Sequence, residues 1–155
     1  MTDTIHVISL CKQEKQSIHK EPYHFERTPV ESVNLIEGYG IDGDRKAGRN
    51  PKRQLNLMDR DMLDTLQAEG YDTAPGRMGE QIQLSGIDLI SLKKGTRLQL
   101  GDSAVIEITM PRTGCAWFEL IQNKPVANTV NRLGVLASVR VSGQVNVGDI
   151  VTVLI

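Results

Sequence analysis

Apolar and polar residues alternate in short runs along most of the chain, and few stretches carry helical spacing. Ile5–Leu10, Ser32–Ile36, Arg53–Met58, Glu80–Leu84, Thr96–Leu100 and Ala104–Thr109 read as strands, as do Gly134–Val141, Gln144–Val147 and Ile150–Leu154. Gly101-Asp102 and Gly148-Asp149 supply hairpin turns. One segment has clear helical periodicity, from about Asp59 to Glu69. Met62, Leu63 and Leu66 form its apolar stripe, Asp59 and Asp61 suit its start, and Gly70 suits the position after its end. A shorter helix is expected over 116–122. Many closely spaced strands with few helices predict a mainly β (α+β) protein: a curved sheet or β-barrel with a few short helices.

Two stretches break the pattern. Residues 12–29 are polar and charged, with Pro22 and Pro29, and read as a long loop or flap. Glu37–Pro51 holds Gly38, Gly40, Gly43, Gly48 and Pro51, so an ordered loop without regular structure is expected there. No repeat or low-complexity segment interrupts the chain. Its 155 residues suit a single domain, 1–155, around one core.

Aromatic residues make up only 4%, which leaves the core to Val, Ile and Leu. A net charge of −1 argues against nucleic acid or an anionic membrane as partner. The opening Met-Thr-Asp-Thr-Ile-His has no basic region followed by an apolar one, and no apolar run approaches the ~18 residues that span a bilayer. The expectation is a cytoplasmic protein whose two cysteines, Cys11 and Cys115, are free thiols. His6, His19 and His24 lack the paired spacing of a zinc site, and no Gly-x-Ser-x-Gly elbow occurs.

The densest chemistry lies in Pro111-Arg112-Thr113-Gly114-Cys115. The Cys115 thiol falls at a strand-to-helix junction, three residues after Arg112. A neighbouring guanidinium and the positive end of a helix both favour thiolate over thiol. A thiolate can attack sulfur, carry it as a persulfide, or bind a soft metal. The five residues fit equally a small buried cysteine at the foot of a strand.

A second candidate is the loop from Gly40 to Asn50. It fails as a phosphate-cradling P-loop, because Arg49 and Asn50 stand where Lys and Ser/Thr are needed. It fails as a calcium loop, because Lys46 and Arg53 occupy ligand positions. What remains is a basic cluster, Arg45, Lys46, Arg49, Lys52 and Arg53, suited to phosphate or another oxyanion. A solvated loop, with Asp42 and Asp44 pairing the arginines, fits the same residues. Arg77-Met78-Gly79-Glu80 is a turn leading into a strand: read alone it is a plain tight turn, and the alternative reading is that Gly79 allows a close backbone approach to a ligand.

Taken in order, these pieces resemble the MOSC domain, the C-terminal domain of molybdenum-cofactor sulfurases, which also occurs as a free-standing bacterial protein. The resemblance runs through Gly40–Gly48, Arg53–Arg60, Met78–Ile82, Gly86–Leu89, Lys94–Leu98, Pro111–Cys115, Arg132–Ala137 and Val145–Asp149. It implies a strand-rich barrel whose cysteine lies in a cleft associated with the molybdenum cofactor (molybdopterin). By that likeness Cys115 is the catalytic residue or metal ligand. Arg45, Lys46, Arg49, Arg53 and Arg112 would neutralise phosphate or oxo groups, with Gly79 and Glu80 lining the cleft. Lys46 stands where the family often has His. No pyridoxal phosphate site is expected here, because the aminotransferase-like domain of full-length sulfurases has no counterpart. The resemblance implies a carrier of sulfur or cofactor, or else a molybdenum-dependent reductase of N-hydroxylated compounds; an oxyanion-binding module with an inert thiol is the third alternative. The implied partners are a molybdenum-pterin or other anionic small molecule, together with a cysteine desulfurase or an electron-donating reductase.

Overall fold

The computed structural model describes residues 4–14, 16 and 20–155. Its strands are β1 (Ile5–Lys12), β2 (Thr28–Val30), β3 (Ser32–Ile36), β4 (Gly40–Ile41), β5 (Leu55–Asp59), β6 (Ile82–Ser85), β7 (Arg97–Leu100), β8 (Ala104–Pro111), β9 (Val135–Val141), β10 (Gly143–Asn146) and β11 (Ile150–Leu154). Two short α-helices accompany them, α1 (Arg60–Ala68) and α2 (Ala116–Gln122). Seven strands close into a barrel in the order β11-β7-β8-β9-β5-β6-β1, with β1 returning to β11 through Ile5↔Val151 and His6↔Ile150. The β5–β6 pair is parallel, and α1 is its crossover, the connection that parallel neighbours require. Outside the barrel, β10, β3 and β4 form a small second sheet.

Alternation along the strands fills the barrel with Val, Ile and Leu: Leu55, Leu57, Ile82, Leu84, Leu98, Ile106 and Ile108 are all buried there. A second, smaller cluster lies under the helices. Met58, Leu63, Leu66, Tyr71, Met78, Phe118 and Leu133 pack together, with Phe25 against them. This cluster supports the residues that carry chemistry.

Helix α1 starts where the sequence places it: Asp59 is the N-cap, its carboxylate accepting from the Met62 N–H at 3.0 Å. Two expectations need correction. The 12–29 segment is not loop throughout, because β1 runs on to Lys12 and pairs with β2, Lys12↔Thr28 and Leu10↔Val30. Nor is Glu37–Pro51 wholly irregular. Ile41 is buried against the barrel core and pairs with Leu35, making Gly40–Ile41 a two-residue strand. His19 lies outside the described residues. Among the described residues no helix is long and apolar enough to cross a membrane.

Candidate functional site

Strand β8 ends at Pro111 and delivers Arg112, whose N–H donates to the Gly134 carbonyl at 3.0 Å. Three residues on, Cys115 is the N-cap of α2 in extended conformation, with no side-chain capping bond. Its sulfur is therefore uncommitted, and the residue is exposed. The other cysteine contrasts with it. Cys11 is buried in β1, and burial, helped by the Glu80 charge, pushes its thiol up to about 11. A protonated, enclosed thiol is inert.

Arg112 is only 7% exposed, although it carries a charge. Its guanidinium lies over the Phe118 ring, 5.9 Å from the centroid, and its Nη1 makes no hydrogen bond. Burial lowers its pKa to about 10; Arg27 and Arg53 push the same way, while Glu80 and Cys115 oppose. Arg112 and Cys115 thus sit within each other's field. Gly79 makes this placement possible. Its φ is +84°, and a Cβ there would stand 2.7 Å from Arg112 Nη2 and 2.9 Å from Phe25 Cζ. Only a residue without a side chain lets the guanidinium rest against the backbone.

The basic loop contributes unequally. Lys46 is half-buried, its pKa drawn down to about 8 by burial first and then by Arg27, Arg53 and Arg112, against the pull of Asp44. Arg53 is exposed and acts on both Lys46 and Arg112. Arg49 instead donates from Nε to the Arg45 carbonyl at 2.9 Å, and the Arg45 N–H reaches the Gln13 carbonyl at 2.6 Å. The loop is pinned by Asp44, which is buried rather than solvated. Its oxygens accept from the N–H groups of Gln13 (2.7 Å) and Lys46 (2.9 Å) and from Gln81 Nε2 (2.8 Å). Glu80 faces inward as well. Its carboxylate takes the N–H groups of Gly76 and Met78 and the Gln83 amide, and burial raises its pKa. It shapes the 76–80 turn that presents Gly79.

Sequence patterning misses one residue, Arg27. It comes from the segment read as a flap, yet its side chain is 8% exposed. Its Nε donates to the Gly79 carbonyl at 2.7 Å, Nη1 lies 3.8 Å from Asp44 without hydrogen-bonding, and burial lowers its pKa. The only local hint is Phe25, an aromatic two residues earlier in a polar stretch.

Arg27 and Arg112 therefore meet at Gly79, and Lys46, Arg53 and Cys115 lie close enough to be coupled to them electrostatically. Two buried guanidiniums keep donors without acceptors, which is costly unless an anion takes them up. Phosphate or oxo groups fit these donors, and the exposed thiol suits a soft metal or a sulfur atom. Among the described residues no three His, Cys, Asp or Glu side chains are grouped to hold an ion. Protein ligation of a metal at this site would come through Cys115.

Residues 44–152 match the family model described as the MOSC domain. No curated protein matches the chain. Among solved structures, the YuaD protein of Bacillus subtilis superposes with a TM-score of 0.78 at 22% identity, covering 97% of this chain and 96% of that one. YiiM from Escherichia coli gives 0.70 at 17%, over 100% and 70% of the two chains. YiiM from Geobacillus stearothermophilus gives 0.73 at 14%, over 97% and 75%. At such identities the likeness is one of fold.

Proposed function

The chain belongs to the MOSC domain family, which is associated with the molybdenum cofactor, and we propose that it holds that cofactor, or the sulfur destined for it, at Cys115 above the cationic cluster. The observation that carries the reading is an exposed, uncommitted thiol within the field of a buried arginine whose Nη1 has no acceptor. When bound, the cofactor supplies a metal centre that takes thiolate and oxo ligands and exchanges electrons.

The chain's own residues do the rest. Arg112 and Arg27 offer Nη1 donors to phosphate or oxo oxygens, and Lys46 and Arg53 balance the remaining negative charge. Phe118 lies under the Arg112 guanidinium and Phe25 packs beside Gly79, so the buried charge acts in a medium of reduced dielectric. In the sulfur-carrying role, the Cys115 thiolate attacks the outer sulfur of a persulfide on a cysteine desulfurase. The donor S–S bond breaks, the donor cysteine leaves as thiolate, and Cys115 holds the sulfur as a persulfide. No external oxidant is needed. Reductive turnover at a bound metal would draw electrons from a separate reductase. We place both partners, and this protein, in the cytoplasm.

The test is composition. Protein purified from a host that makes the cofactor should carry molybdenum and pterin near equimolar with the chain, or gain about 32 Da on Cys115 when given a cysteine desulfurase and cysteine. Cys115→Ser should lose the metal or the added sulfur while keeping its circular dichroism. Phosphate binding that persists in Cys115→Ala, with neither metal nor sulfur ever acquired, would reduce the protein to an oxyanion-binding module and end the proposal.

A further inference from the structure

A second concave region lies along β8 and β9, lined by none of the cationic residues grouped near Cys115. One cavity of about 370 Å3 is bounded by Lys52, Gln54, Lys94, Glu107, Thr109 and Ser138. A neighbouring one of about 240 Å3 shares Lys94, Ile108 and Thr109 with it and runs on over Ile90, Leu92, Met110 and Val135. Together they make one groove with a polar end and an apolar end.

Two of the polar side chains in its wall are engaged within the protein. Thr109 Oγ1 donates to the Lys52 carbonyl, and Gln54 Oε1 accepts from the Val139 N–H at 2.8 Å. Ser138 is 5% exposed, yet its Oγ has no hydrogen-bond partner. A buried hydroxyl left unpaired in a cavity wall marks where a ligand's polar atom belongs. The charges point to its sign. Glu107 is neutralised by Arg97 at 3.1 Å and Arg140 at 2.7 Å, whereas Lys52 and Lys94 have no carboxylate partner among the described ion pairs. The polar end is thus cationic. The other end offers aliphatic carbon and Met110, which suit a hydrocarbon tail.

We propose that this groove is a binding site for a small amphipathic carboxylate, its head at Ser138 between Lys52 and Lys94 and its tail over Ile90, Leu92 and Met110. The carboxylate accepts from Ser138 Oγ and the two ammonium groups; the tail removes Ile90 and Leu92, both partly exposed, from water. No residue of the Cys115 site takes part, so the inference stands independently of the function proposed above.

Hexanoate is the probe, followed by amide shifts in a 15N-labelled sample. Shifts should centre on Lys52, Lys94, Thr109 and Ser138, with a Kd of ~1 mM or tighter. Lys94→Glu, at an exposed position, should weaken binding by ~10-fold. Ser138→Leu, which fills the polar end, should abolish it. Hexylammonium of the same length should not bind. Shifts centred on Arg112 and Cys115, equal binding of hexylammonium, full hexanoate affinity in Lys94→Glu, or no response to tens of millimolar hexanoate would each overturn the site.

Discussion

A half-buried lysine surrounded by three arginines is held charged against its surroundings, and Lys46 is in that position. Burial, then Arg27, Arg53 and Arg112, lower its pKa from 10.5 to about 8. Between those values the unfolded chain keeps a proton that the folded protein has released, so stability rises with pH across the window, and below pH 8 the folded state carries the full penalty. An anion in the site reverses the balance, because it favours the charged ammonium. Sulfate, which does not titrate here, should therefore bind more weakly as pH rises from 7 to 9, with proton uptake visible by calorimetry in buffers of different ionisation enthalpy. Lys46→Met should bind sulfate more weakly at pH 7 and lose this slope. A slope unchanged by the substitution would show that Lys46 does not face the ligand. At this scale the sequence is informative where contacts are local. Arg112 and Cys115 are three residues apart at a strand end, and their proximity can be read directly. Arg27 cannot, because its burial depends on the Gly79 carbonyl, 52 residues away.

Among elements, the start of α1 is fixed by one carboxylate. Asp59 Oδ1 caps α1 through Met62, and Oδ2 accepts from the Leu89 N–H at 3.0 Å, tying the helix start to the short 3-10 turn Leu89–Ser91. Asp59→Ala removes the cap and leaves a buried N–H without a partner. The expected cost is about 2 kcal/mol, roughly half from each loss, read as a shift in the urea midpoint at unchanged slope. Asp59→Asn should cost less, because its carbonyl oxygen can still serve the helix. A loss below about 0.5 kcal/mol would mean that tertiary packing alone sets the start of α1. The cap and stripe of this helix are plain in the sequence, as are strands such as Ser32–Ile36 and Ile150–Leu154. Strand β4 is not. Two residues cannot show alternation, and what makes Gly40–Ile41 a strand is pairing with β3 and the burial of Ile41, both tertiary.

For the whole molecule, strand count and turn spacing indicate a barrel, but alternation says which face of a strand is inward, not which strand is its neighbour. The parallel β5–β6 pair and the meeting of the first and last barrel strands are therefore hidden from the sequence. That meeting has a kinetic consequence. Val151, 4% exposed, pairs with Ile5 on one side and Leu100 on the other, so closing the barrel joins residues separated by nearly the whole chain. Contacts of such sequence separation bear the largest loop-closure entropy and are expected to form after the transition state. Val151→Ala should destabilise the protein by about 2 kcal/mol. In stopped-flow chevrons most of that loss should appear as faster unfolding, a φ-value of about 0.3 or less. A φ-value near 1 would instead place the pairing of the terminal strands in the folding nucleus, ahead of the local β7–β8 hairpin.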